Sequence, residues 1–154
     1  VELGAALKNV LALCCGISDG MGLGDNTKAL LMTRGMTEMA RLGVAMGGSF
    51  QTFAGLTGIG DLIVTCASMH SRNRRAGILI GKGYTMEEAM KEVDATVEGY
   101  FAALSAHQLA KKMGVEMPIC ESAYGVLYED RPVELVVEQL MTRSKRREVD
   151  ESWI

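Results

Sequence analysis

Proline and aromatic residues are scarce in this chain of 154 residues, with two prolines and only 5% Phe, Trp and Tyr. Alternating β-branched and aromatic positions are equally hard to find, which argues against a sheet and favours an all-helical domain rich in Ala, Leu and Met. Histidine is limited to His70 and His107, too few for a histidine-rich metal cage, and neither sits in a serine–acid context that would make a triad. Cys14, Cys15, Cys66 and Cys120 show no CxxC spacing, so they read as small buried hydrophobes in a reducing compartment, and no metal is expected. Even the charge-poor stretch from Leu42 to His70 is full of Gly, Ser, Thr and Gln, so no membrane span is expected. No basic n-region precedes an apolar run, so no signal peptide is expected; the helical pattern begins abruptly at Glu2, as in a chain cut from something longer. The net charge of −3 disfavours a general polyanion binder. The basic run Arg143–Arg147 is followed at once by Glu148, Asp150 and Glu151, so it reads as a solvated tail rather than a nucleic-acid site.

What is present is glycine, 18 residues in all, punctuating helix-like runs. The spacing predicts helices over 2–15, from Asp25 or Asn26 as N-cap to about 46, and over 72–80 behind Ser71. Further helices are predicted over 86–93 behind a Thr85–Glu88 capping box, 99–113, 118–128 and 133–141. Short helical pieces are expected between 55 and 67. One helical domain, 1–142, with a frayed charged tail, 143–154, is the expected organisation.

Charge is informative where it is rare. Lys8 is the only charged side chain between Glu2 and Asp19, in a run apolar nearly all round. A helix of that kind is generally buried. Lys8 shares its stripe with the small residues Gly4, Ala5, Ala12 and Cys15. It either snorkels to the surface or lies in an apolar cleft, where burial lowers a lysine's pKa and suits it to proton transfer. Asp61 is the mirror case, the only carboxylate between Arg41 and Arg72. It is either an N-cap or a buried anion that needs a partner, and Lys8 is the obvious one. Ser71-Arg72-Asn73-Arg74-Arg75 places three arginines at a capped helix start, where they oppose the helix dipole unless an anion sits among them. Phosphate suits such a place; a solvated basic face pairing with Glu87, Glu88 or Glu92 is the plainer reading. None of the GxG pairs at 22/24, 58/60 and 81/83 has glycine three residues on, so the dinucleotide fingerprint is absent. Asp19 and Asp25 do not make a calcium loop, because the twelfth position is Leu30.

The same residues carry a family likeness. Val1-Glu2-Leu3-Gly4-Ala5-Ala6-Leu7-Lys8-Asn9, Gly22–Lys28, Gly58–Cys66, Ser71–Arg75 and Val97-Glu98-Gly99-Tyr100 resemble, in order and spacing, the C-terminal domain of bacterial NAD(P)-dependent glycerol-3-phosphate dehydrogenase, from residue 1 to about 140. The resemblance implies an all-α, multi-helix fold like the 6-phosphogluconate dehydrogenase C-terminal domain. It implies a cytoplasmic oxidoreductase that interconverts dihydroxyacetone phosphate and sn-glycerol 3-phosphate for phospholipid synthesis. NAD or NADP would be held mainly by a preceding Rossmann domain, so the 154 residues alone are expected to be inactive. By that likeness Lys8 is the catalytic lysine and Asp61 the aspartate that orients it; Ser71, Arg72 and Asn73 contact substrate, with Asn9 and Thr65 as secondary contacts. Arg72 and Glu98 match cofactor contacts, while Thr96 stands where the family often has valine. A homodimer is compatible with the resemblance. Two other readings compete: a helical interaction module without chemistry, and the helical domain of a related hydroxy-acid dehydrogenase.

Overall fold

The computed structural model describes residues 2–47, 62–64, 66, 68 and 71–152, the side chains of 2, 3 and 144–152 excepted. Within these bounds α1 (Glu2–Met21), α2 (Asp25–Ala45), α3 (Arg72–Gly81), α4 (Met86–Val93), α5 (Glu98–Met113), α6 (Pro118–Tyr128) and α7 (Val133–Ser152) follow one another. The described residues contain no strand. The all-helical expectation is met.

Helix α1 is the central post. Leu7, Val10, Leu11, Leu13 and Cys15 are all buried, and α2, α3, α5 and α6 pack around it. Its apolar circumference is the reason: with no polar face, the helix gains by being covered on every side. The most extensive of these contacts is with α3. There Gly16 and Gly20 of α1 meet Gly77 and Gly81 of α3, backbone to backbone. An ideal Cβ on Gly77 would lie 2.1 Å from the Leu13 carbonyl oxygen, and one on Gly16 would lie 2.2 Å from that of Arg74. Small residues one turn apart let two helix axes approach this closely.

Local signals set most of the helix ends. Ser71 Oγ accepts from Arg74 N at 3.2 Å and starts α3. Thr85 and Glu88 form the expected reciprocal box at the start of α4, with bonds of 2.9 and 3.1 Å. Gly114, at φ 65°, closes α5, and Pro118 opens α6. Three boundaries differ from expectation. Helix α1 runs on to Met21, because Gly16 and Gly20 are packing glycines rather than turn residues. Helix α2 starts behind Gly24, at φ 87°, and Asp25 and Asn26 are not its cap; the left-handed backbone there favours glycine. The segment expected to fray is the continuation of α7 to Ser152, and its run of Lys, Arg and Glu has high helix propensity.

Helix α6 also has a cap that no local pattern announces. Glu38, on α2 and only 4% exposed, accepts from Ile119 N at 2.8 Å and from Cys120 N at 3.3 Å. Burial pushes its carboxyl up to about 7, against the opposing pull of those two amides and the nearby arginines. A folded state that holds its proton above the ordinary carboxyl range loses stability as pH rises through the gap. Stability should therefore fall by something on the order of 3 kcal/mol between pH 4.5 and 7. Glu38→Gln, which keeps one acceptor, should flatten that slope in denaturant titrations across pH. Glu38→Ala should cost ~2–4 kcal/mol near pH 4.5, since two buried amides lose their acceptor, and less as pH rises toward 7.

Candidate functional site

Three helix segments converge beside the predicted lysine. Lys8 is half-buried on α1, on a stripe running from exposed Ala5 to the fully buried Ala12 and Cys15. Its neighbour Asn9 donates from Nδ2 to Glu98 Oε2 of α5 at 3.3 Å. Asn73, in the first turn of α3 and 8% exposed, accepts at Oδ1 from the Gly99 amide at 2.7 Å. Asn9, Asn73, Glu98 and Gly99 thus form one cluster at the starts of α3 and α5, with Lys8 and Arg72 next to it in the sequence. Asp61 and Thr65 lie outside the described residues. Their neighbours Leu62 and Cys66 are buried in the core.

The start of α3 keeps its anion-binding character only in part. Arg72 is exposed, and Ser71 holds the cap. The expected three-arginine cradle is not formed, however. Arg74 turns away from the helix start and binds Asp19 Oδ2 through Nε at 3.2 Å and Nη2 at 2.9 Å. Lys28 reaches the same oxygen at 3.0 Å. Nor do the acids of α4 provide the plainer alternative for Arg74, because Asp19 takes that part, while Glu88 is turned into its own capping box. Arg72 and Glu98 are exposed at the two helix starts, and Arg75 is exposed one turn into α3. An exposed guanidinium at a helix start is an arrangement that favours an anion.

The cysteine expectation holds for Cys15, Cys66 and Cys120, which are buried, while Cys14 is half-buried; all four are free thiols. No group of three metal-ligating side chains occurs among the described residues, and no described helix is long and apolar enough to cross a membrane. Sequence reading missed Gly99. Its signal is faint: a glycine directly after the first residue of a helix, where glycine is otherwise unfavourable.

Comparison with known proteins places the chain in a family. A sequence model described as the NAD-dependent glycerol-3-phosphate dehydrogenase C-terminus matches residues 1–138. The glycerol-3-phosphate dehydrogenase [NAD(P)+] of Fusobacterium nucleatum is 60% identical over 153 residues, 99% of this chain and 45% of that protein. That of Moorella thermoacetica is 59% identical over 150 residues, 97% of this chain and 45% of that protein. The crystal structure of glycerol-3-phosphate dehydrogenase from Coxiella burnetii superimposes with a TM-score of 0.86 at 42% identity, covering 91% of this chain and 43% of that one. The Saccharomyces cerevisiae enzyme gives 0.79 at 28% identity, covering 89% and 40%. The class is therefore an all-α domain that corresponds to less than half of a longer dehydrogenase. More narrowly, the chain belongs to the NAD-dependent glycerol-3-phosphate dehydrogenase C-terminal family.

Proposed function

We propose that this chain is the substrate-binding and acid–base half of an oxidoreductase interconverting dihydroxyacetone phosphate and sn-glycerol 3-phosphate, its binding unit spanning residues 1–142. The observation that carries the reading is the convergence of Asn9, Asn73 and the Glu98–Gly99 pair one residue along α1 from Lys8.

In this reading the Arg72 guanidinium and the first amides of α3 bind the phosphate, where both the charge and the free N–H groups favour an anion. Ser71 fixes that helix start through its cap, and Asn73 offers its Nδ2 donor, its oxygen being committed to Gly99. Lys8 then protonates the developing C2 alkoxide in reduction, or takes the hydroxyl proton in the reverse direction. Asp61 orients the ammonium, and Asn9 and Thr65 complete the contacts.

The residues present also fit one edge of a nicotinamide dinucleotide. Arg72 and Glu98 are both exposed, at the starts of two helices tied together by the Asn73–Gly99 bond. When bound, the nicotinamide supplies or accepts the hydride. Its pyrophosphate would be held elsewhere, since no glycine fingerprint occurs in these residues. For that reason no NADH-dependent turnover is expected of the 154 residues alone.

The test is ligand-linked stability. sn-Glycerol 3-phosphate at 100 times its Kd should stabilise this chain by about 2.7 kcal/mol in denaturant titrations, and Arg72→Ala should abolish most of that gain. A pure packing module would show no gain. In a chain carrying a nucleotide-binding domain, Arg72→Ala should act mainly on the substrate KM.

A further inference from the structure

Gly99 lies where three site elements meet. It is buried, and an ideal Cβ on it would sit 2.8 Å from Asn73 Oδ1, 2.9 Å from the Asn9 carbonyl oxygen and 3.3 Å from that carbonyl carbon. Any side chain at 99 would therefore press on α3 through Asn73 and on the α1 backbone one residue past Lys8. The α1 backbone is held in the core by Leu7, Val10 and Leu11, each 1% exposed, so it has little room to give. The Gly99 amide also decides which way the Asn73 amide faces. An N–H can bond only to an acceptor, so Oδ1 must face Gly99 and Nδ2 must face the other way.

We propose that Gly99 is a positioning residue: its amide locks the Asn73 side chain with the donor group toward the ligand, and its bare Cα lets α1, α3 and α5 close on one another. This rests on the proposed substrate site and adds a means of coupling. Asn73 belongs to the substrate side. Glu98, held by Asn9, belongs to the cofactor side, and both are tied to the first turn of α5. One change at 99 should disturb both sides together.

The experiment is a double-substitution cycle in a chain carrying a nucleotide-binding domain. Gly99→Ala should raise the KM for dihydroxyacetone phosphate about tenfold or more and raise the dinucleotide KM in the same variant, with kcat changing less. In an Asn73→Ala background the same change should raise the substrate KM by a smaller factor than it does alone, because only the clash with the Asn9 carbonyl remains. Asn73→Asp, which keeps the acceptor but not the donor, should preserve slow exchange of the Gly99 amide in hydrogen-exchange NMR while losing substrate affinity. Asn73→Ala should lose both. Near-normal KM values in Gly99→Ala, or independent multiplying effects in the double variant, would overturn the proposal. So would a Gly99 amide that exchanges equally fast with and without Asn73; this readout needs no turnover and stays decisive if the wild-type chain proves inactive on dihydroxyacetone phosphate. That last result would instead sink the substrate assignment.

Discussion

Lys8→Met, in a chain that also carries a nucleotide-binding domain, should lower kcat for dihydroxyacetone phosphate reduction by ~10²–10⁴-fold, the range for loss of a general acid. Methionine keeps the length and most of the apolar stem, so the half-buried position on α1 should remain filled and the fold intact. The proton donor goes, and with it the means of neutralising charge on the C2 oxygen as it forms. Substrate KM should move less than kcat, because the proposed site binds the phosphate through Arg72 and the α3 start rather than through the lysine. Lys8→Arg separates two explanations. Arginine keeps the positive charge but releases its proton far less readily, so it should fail nearly as badly if proton transfer is the role. Substantial recovery by arginine would make Lys8 an electrostatic anchor. Single-turnover measurement of the hydride step is the relevant check, since slow product release would hide part of the loss.

How far the sequence revealed this site depends on how local each feature is. Ser71, the Thr85–Glu88 box, Gly114 and Pro118 act within one helical turn, and each marks its helix end in the structure as it does in the sequence. Lys8 stands out because one charge in an apolar run is costly wherever the run packs. The features that escaped reading all depend on a distant partner. Arg74 looks like one of three equivalent arginines until Asp19, 55 residues earlier, binds its guanidinium. Glu38 occupies the buried stripe of α2 with Leu31 and Leu42, yet nothing local says that its carboxylate caps a helix 81 residues on. Gly16 and Gly20 have the same difficulty. A glycine in sequence signals a turn, and only the opposing backbone of α3 shows that these two serve close contact.

That contact sets the second large expectation. Gly77→Ala should destabilise the domain by at least ~3 kcal/mol, the upper part of the range for overpacking. Helix propensity points the opposite way. Alanine in a helix interior is worth about 1 kcal/mol more than glycine, so by propensity alone the substitution should help. Packing decides the sign. The new methyl would lie 2.1 Å from the Leu13 carbonyl oxygen, 2.9 Å from the Ile17 amide nitrogen and 3.0 Å from Gly16 Cα, all backbone atoms that cannot rotate away. Relief requires α1 and α3 to separate, which opens the contact between their buried faces and draws the Arg72–Asn73 turn away from Lys8. Gly4→Ala is the matched control, since its Cβ would meet nothing within 4 Å on the same α1; it should be neutral or stabilising by up to ~1 kcal/mol. In thermal unfolding the 77 variant should melt roughly 6–12 °C lower. Equal melting temperatures for the two alanine variants would mean that α1 and α3 can part at little cost, and that the glycine contact does not hold the site together.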